Sequence, residues 1–159
     1  MSLPNRRSLL LAPLALAACG FQPAFGPGGT GRTLLNRVLI DAPSDRDSYL
    51  LVRELEERLG RAATPDYGLS LKIFTSQEGL AIDRAGNTRR FNRLGRVDYA
   101  LRDMTSGAIV TSGTVENFTG YSATGTTVAT LAAETDAQNR LMVILADQIV
   151  TRLLTSDLA

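Results

Sequence analysis

The side chain with the most definite chemistry is a thiol near the N-terminus. Leu16-Ala17-Ala18-Cys19 holds the only cysteine of a 159-residue chain, directly after two small residues. Upstream, Arg6 and Arg7 precede the apolar run Leu9 to Leu16, interrupted by Pro13. A basic start and a short greasy run have the layout of a secretory signal, too short to span a bilayer as a helix. Small residues ahead of Cys19 suit a signal peptidase whose pocket admits only small side chains. The pattern predicts cleavage after Ala18 and a thiol positioned to take a lipid.

Such a cysteine resembles the acceptor of the bacterial lipoprotein pathway, where the thiol takes a diacylglycerol and the freed amine is acylated. The bland reading is an ordinary signal peptide that happens to end on a cysteine. Several acyl chains would anchor stably, because each buried methylene contributes about 0.8 kcal/mol and a single chain holds only marginally. Gly20 follows the cysteine; in the enterobacterial sorting rule an Asp there retains a lipoprotein at the inner membrane, so Gly20 points to the outer one. Asn5-Arg6-Arg7-Ser8-Leu9-Leu10 faintly resembles a twin-arginine signal, but paired arginines are common in ordinary signals and the general secretory route is preferred.

Beyond the thiol, the residue types exclude more than they suggest. Histidine is absent, which removes the commonest general base and the commonest metal ligand together. No G-x-S-x-G, H-E-x-x-H or paired-carboxylate motif is present. The nearest carboxylate pair, Asp45 and Asp47, falls at a predicted helix start, where the helix dipole favours negative charge. Gly26, Gly31, Arg32 and Thr33 imitate a phosphate loop, with arginine in the lysine position and no preceding strand. An enzyme is therefore not expected, and neither a metal nor a soluble cofactor. Charge is balanced, 17 basic against 16 acidic residues, so nucleic acid is not expected as a partner.

The elements that must position everything else follow from periodicity. Residues 1–18 form the signal and 19–32 the anchor with a glycine- and proline-rich linker, whose coil reach is roughly 20 Å. A domain occupies 33–159. Leu34 to Ile40 reads as a short strand, and Ser44 with Asp47 as an approximate capping box. Leu51, Val52, Leu55 and Leu59 then recur at helical spacing over roughly 45–59, with Gly60 as the stop. From Tyr67 the period becomes two. Leu69, Leu71 and Ile73 alternate with Ser70, Lys72 and Phe74. After a predicted turn at Arg84–Asn87, Phe91, Val97, Tyr99 and Leu101 share one side of a second strand. A turn at 103–107 and a third strand over 108–118 complete an antiparallel meander. Leu141, Leu145, Ile149 and Leu153 mark a long helix over about 129–154. The order β-α-β-β-β-α predicts an α+β two-layer sandwich, a four-stranded sheet with both helices on one face.

Cys19-Gly20-Phe21-Gln22-Pro23 ahead of that order resembles the opening of the LptE family, the lipopolysaccharide-assembly lipoproteins. Asp98-Tyr99-x-Leu101, Gly107, Tyr121-Ser122 and Glu134-x-Asp136-Ala137 continue the resemblance, which covers nearly the whole mature chain. Its glycine-rich stretch from Phe25 to Arg32 is the least typical part.

The resemblance implies a non-enzymatic outer-membrane lipoprotein, lipid-anchored and facing the periplasm. It implies a one-to-one partner, an LptD-type β-barrel that the domain plugs, and lipopolysaccharide as cargo. It also implies that basic residues near a strand turn touch lipopolysaccharide. Arg84, Arg89, Arg90, Arg93 and Arg96 form the densest positive patch in the chain, and arginine's planar fork suits phosphate. Two alternatives stand beside that assignment: a solvated strand face, or pairing with acidic groups of a barrel wall. For the whole chain the competing reading is an unrelated lipoprotein that binds a ligand or cell wall.

Overall fold

A computed structural model describes residues 30–82 and 88–156. The acylation site at Cys19, most of the linker, Arg84 and the predicted turn at 84–87 lie outside the described residues.

The chain opens with helix α1 (Thr30–Leu34), then strand β1 (Val38–Ile40), helix α2 (Arg46–Leu59), strands β2 (Tyr67–Ile82), β3 (Thr88–Asp103) and β4 (Ile109–Ser122), and helix α3 (Thr127–Thr155). The sheet order is β1-β2-β3-β4, with β1 parallel to β2 and the other pairs antiparallel. The parallel pair needs a crossover, which α2 supplies. The expected α+β sandwich is present, with one helix added at its start.

That added helix corrects one expectation. Leu34 to Ile40 is not a single strand: Leu34 ends α1 and is fully buried, and only three residues pair as β1. Asn36 breaks the segment with a left-handed backbone, φ +59°. A run of apolar residues does not reveal such a break, because buried helix and buried strand share the same composition.

A second correction concerns the cap of α2. Asp45, not Ser44, is the N-cap, and its carboxylate accepts from the Ser48 amide at 2.8 Å. The Ser48 hydroxyl oxygen in turn accepts from the Asp45 amide at 2.9 Å. These bonds hold the Asp45 carboxyl below its usual pKa, the Ser48 amide contributing most. Asp47 is left over for another task, described below.

The core lies between the helices and one face of the sheet. Leu69, Val97, Leu101 and Val115 of the sheet meet Leu51, Leu55 and Leu59 of α2 and Leu141, Leu145, Ile149 and Leu153 of α3. Burying each such leucine contributes about 1.5–3 kcal/mol. Gly95 lets α3 approach closely, because a Cβ there would lie 2.9 Å from Leu145 Cδ1 and 3.0 Å from Leu141 Cδ2. The β3–β4 turn is closed by Asp103, whose Oδ1 accepts from the Thr105 and Ser106 amides at 3.0 and 2.7 Å. Gly107 follows at φ +73°.

Candidate functional site: the uncovered sheet face

Strand alternation decides what the second face carries. Where odd-numbered residues of β3 and β4 point to the helices, even-numbered ones point away, and β2 places Lys72, Phe74 and Ser76 beside them. Phe74 and Phe118 are 47% and 59% exposed, although large aromatic side chains are usually covered. Between them runs Leu94, directly opposite Phe118 in the register. Together with Arg96 and Glu116 they line a shallow cavity of about 450 Å³.

Charge surrounds this apolar strip in alternating sign. Arg96 lies 3.1 Å from Asp98 and 3.6 Å from Glu116. Asp98 also accepts from the Thr114 hydroxyl at 2.7 Å. Its carboxyl is held below the usual range, first by that hydroxyl and next by Arg96. The Lys72 ammonium lies over the Phe74 ring, 5.2 Å from its centroid. The face is therefore apolar at its middle, with a charge-balanced surround. A second cavity of about 340 Å³ opens towards the far end of the same strands, lined by Leu80, Arg90, Phe91, Asn92, Gly120, Tyr121 and Ser122.

The five arginines do not form one patch. Arg84 lies outside the described residues. Arg90 and Arg96 share the uncovered face, and Arg90 makes no ion pair among the described residues. Arg89 has the register parity of the helix side and is exposed. Arg93 also turns towards the helices, where its Nη1 lies 3.3 Å from Glu134 and its Nη2 3.9 Å from Asp47. Consecutive arginines on a strand are divided by the pleat, so linear density overstated the surface patch. The outward group of exposed Phe74 and Phe118 with half-buried Leu94 was missed in the sequence. The available signal was an aromatic at an outward position of β2, Phe74 beside Lys72.

Among the described residues no three His, Cys, Asp or Glu side chains gather as a metal site. No described helix is long and apolar enough to cross a membrane. The fold and this face together define a two-layer α+β domain built to present a surface. The chain belongs to the LptE lipopolysaccharide-assembly family, whose sequence profile matches residues 35–153.

Solved structures share the architecture. A Caulobacter crescentus CB15 chain designated a lipoprotein superposes with a TM-score of 0.68 at 26% identity, covering 79% of this chain and 93% of that one. Rare lipoprotein B from Shewanella oneidensis gives 0.57 at 15% identity, covering 74% and 91%. Lipoprotein B from Nitrosomonas europaea gives 0.59 at 18%, covering 85% and 90%. The last two likenesses establish the fold alone. No curated protein sequence matches the chain.

Proposed function

We propose that this lipopolysaccharide-assembly protein acts without catalysis, as the lipid-anchored plug of an LptD-type outer-membrane β-barrel, one plug to one barrel. The observation that carries the reading is the uncovered face. Phe74, Leu94 and Phe118 sit within a balanced ring of Lys72, Arg96, Asp98 and Glu116. A barrel interior is polar and wet, which such a mixed surface fits better than an apolar groove would. Acylation at Cys19 would hold the plug at the periplasmic leaflet of the outer membrane and raise its concentration near the barrel.

Contact with lipopolysaccharide belongs to the same proposal and centres on Arg90. Arg90 and Leu80 line the same cavity on the uncovered face, so a phosphate donor and an apolar side chain border one space. Arg89 and Arg84 are further candidates by their place in the sequence, and Arg93 and Arg96 each hold a carboxylate.

Purification of the native protein from detergent-solubilised membranes tests the plug. A single very large β-barrel in equal amount is expected, with a diacylated and N-acylated Cys19 by intact mass. Recovery alone, or with a soluble ligand or cell-wall fragment, would favour the competing binding-module reading.

A further inference from the structure

Helix α3 is held down by two different kinds of contact. From Ala137 onward it buries Ala137, Leu141, Met142, Leu145, Ala146, Ile149, Val150 and Leu153. Before Ala137 no residue of the helix is buried, and Val128 and Leu131 are 78% and 62% exposed. A helix segment without buried apolar contacts has little besides polar links to keep it docked.

Those links converge on one cluster at the far end of the sandwich. Glu134 Oε1 accepts from Arg93 Nη1 at 3.3 Å. Asp47, in the first turn of α2, lies 3.9 Å from the same guanidinium, accepts from the Thr75 hydroxyl at 2.9 Å and also accepts from the Gln138 amide. The Thr119 hydroxyl donates to the Ala137 carbonyl at 2.7 Å. Arg93 Nε, buried within this cluster, finds no hydrogen-bond partner among the described residues. The polar joint is thus incompletely satisfied, and unpaired buried groups lower the cost of opening it.

We propose that residues 127–136 of α3 are a latch that opens as its own unit, pivoting at Ala137, with the Arg93–Glu134 pair as its fastening. The chain leading into it suits such movement. From Asn117 to Ala133 it carries no charged residue, and Gly125 precedes the helix at φ +136°. Opening uncovers Arg93 and the stacked rings of Phe91 and Tyr121, 5.4 Å apart, on the helix side of the sheet tip. The latch therefore gates a cationic and aromatic surface, Arg93 with Tyr121, that the closed domain largely covers.

Amide hydrogen exchange on the full-length protein in detergent, resolved along α3, tests this. The amides of residues 131–136 should exchange at least about tenfold faster than those of 141–153. Glu134→Gln should accelerate them about tenfold more and leave 141–153 unchanged. Arg93→Met provides a second, independent release of the same pair, with the same pattern expected. Asp147→Asn, which removes the carboxylate paired with Arg58 at 2.6 Å, should leave 131–136 unchanged. Ordinary end fraying predicts exchange that slows steadily from Thr127 inward instead of one common rate over 131–136; that gradient, or no response to Glu134→Gln, overturns the latch. Equal acceleration of both halves of α3 overturns it too, since the helix would then open as one body.

Discussion

Asn36 and Gly60 face one another with positive φ, +59° and +75°, and the Asn36 amide donates to the Leu59 carbonyl at 2.7 Å. This contact closes the end of α2 against the segment joining α1 to β1. A Cβ on Gly60 would overlap Asn36 Oδ1. Gly60→Ala is therefore expected to destabilise the domain by about 1–3 kcal/mol, from backbone strain and displacement of Asn36. Chemical denaturation of the variant checks this. Asn36→Gly, which keeps the backbone conformation accessible, should cost distinctly less.

Glu54 predicts a pH dependence. It is largely buried on α2 and pairs with Arg53 at 2.7 Å and Arg58 at 3.1 Å. The hydrogen bond from Arg53 comes first in holding its carboxyl below the usual range, burial opposes it, and Arg58 adds to it. A depressed folded pKa means the stabilisation is complete above the unfolded value and disappears as pH falls through the folded one. Denaturant midpoints should therefore drop below about pH 4.3, the ordinary glutamate value. Glu54→Gln should lower stability by about 1–3 kcal/mol at neutral pH and flatten that acid dependence.

Leu145 sits over Gly95, fully buried, where α3 packs closely on the sheet. Leu145→Ala is expected to cost about 2–5 kcal/mol, from lost transfer energy and the cavity left beneath the helix. Thermal or urea unfolding measures it. A cost under 1 kcal/mol would contradict the packing described.

The uncovered face predicts a separation of binding from stability. Replacing Phe74 and Phe118 together with serine should change unfolding free energy by less than about 1 kcal/mol, because both rings are half exposed. Recovery of the barrel from solubilised membranes should nevertheless fall severalfold. Unchanged recovery would remove this face from the interface.

For lipopolysaccharide, Arg90→Ala should weaken binding of the purified protein, whereas Arg96→Ala should weaken it less. Arg90 borders the distal cavity, while Arg96 is already engaged by Asp98 and Glu116. Identical affinities for both variants and the parent would refute a role for Arg90.

Much of the architecture was legible in linear order, because period and burial are coupled locally. Leu141, Leu145, Ile149 and Leu153 spaced by four can only form one stripe on a helix, and all four are fully buried. Leu69 alternating with Ser70, and Val97 with Asp98, likewise assigned core and outer sides of strands correctly. Family membership was legible too, through the order of Asp98-Tyr99-x-Leu101, Gly107 and Glu134-x-Asp136-Ala137. The helix at Thr30–Leu34 was not, since its five residues include one apolar side chain, Leu34, and a single position carries no period.

What only the tertiary structure decided is how charges are shared between faces and elements. Arg89, Arg90, Arg93 and Arg96 look like one cluster in the chain. A strand's pleat instead sent Arg93 to Glu134 and Asp47, which lie 41 and 46 residues away along the chain, and left Arg90 and Arg96 outside. Asp47 shows the same limit from the other side, a helix-start carboxylate whose partners come from β2, β3 and α3. Local periodicity is a property of neighbours and is written in the sequence. Ion pairing depends on which distant segments the packed core brings within a few ångströms, and that is settled only when the core forms.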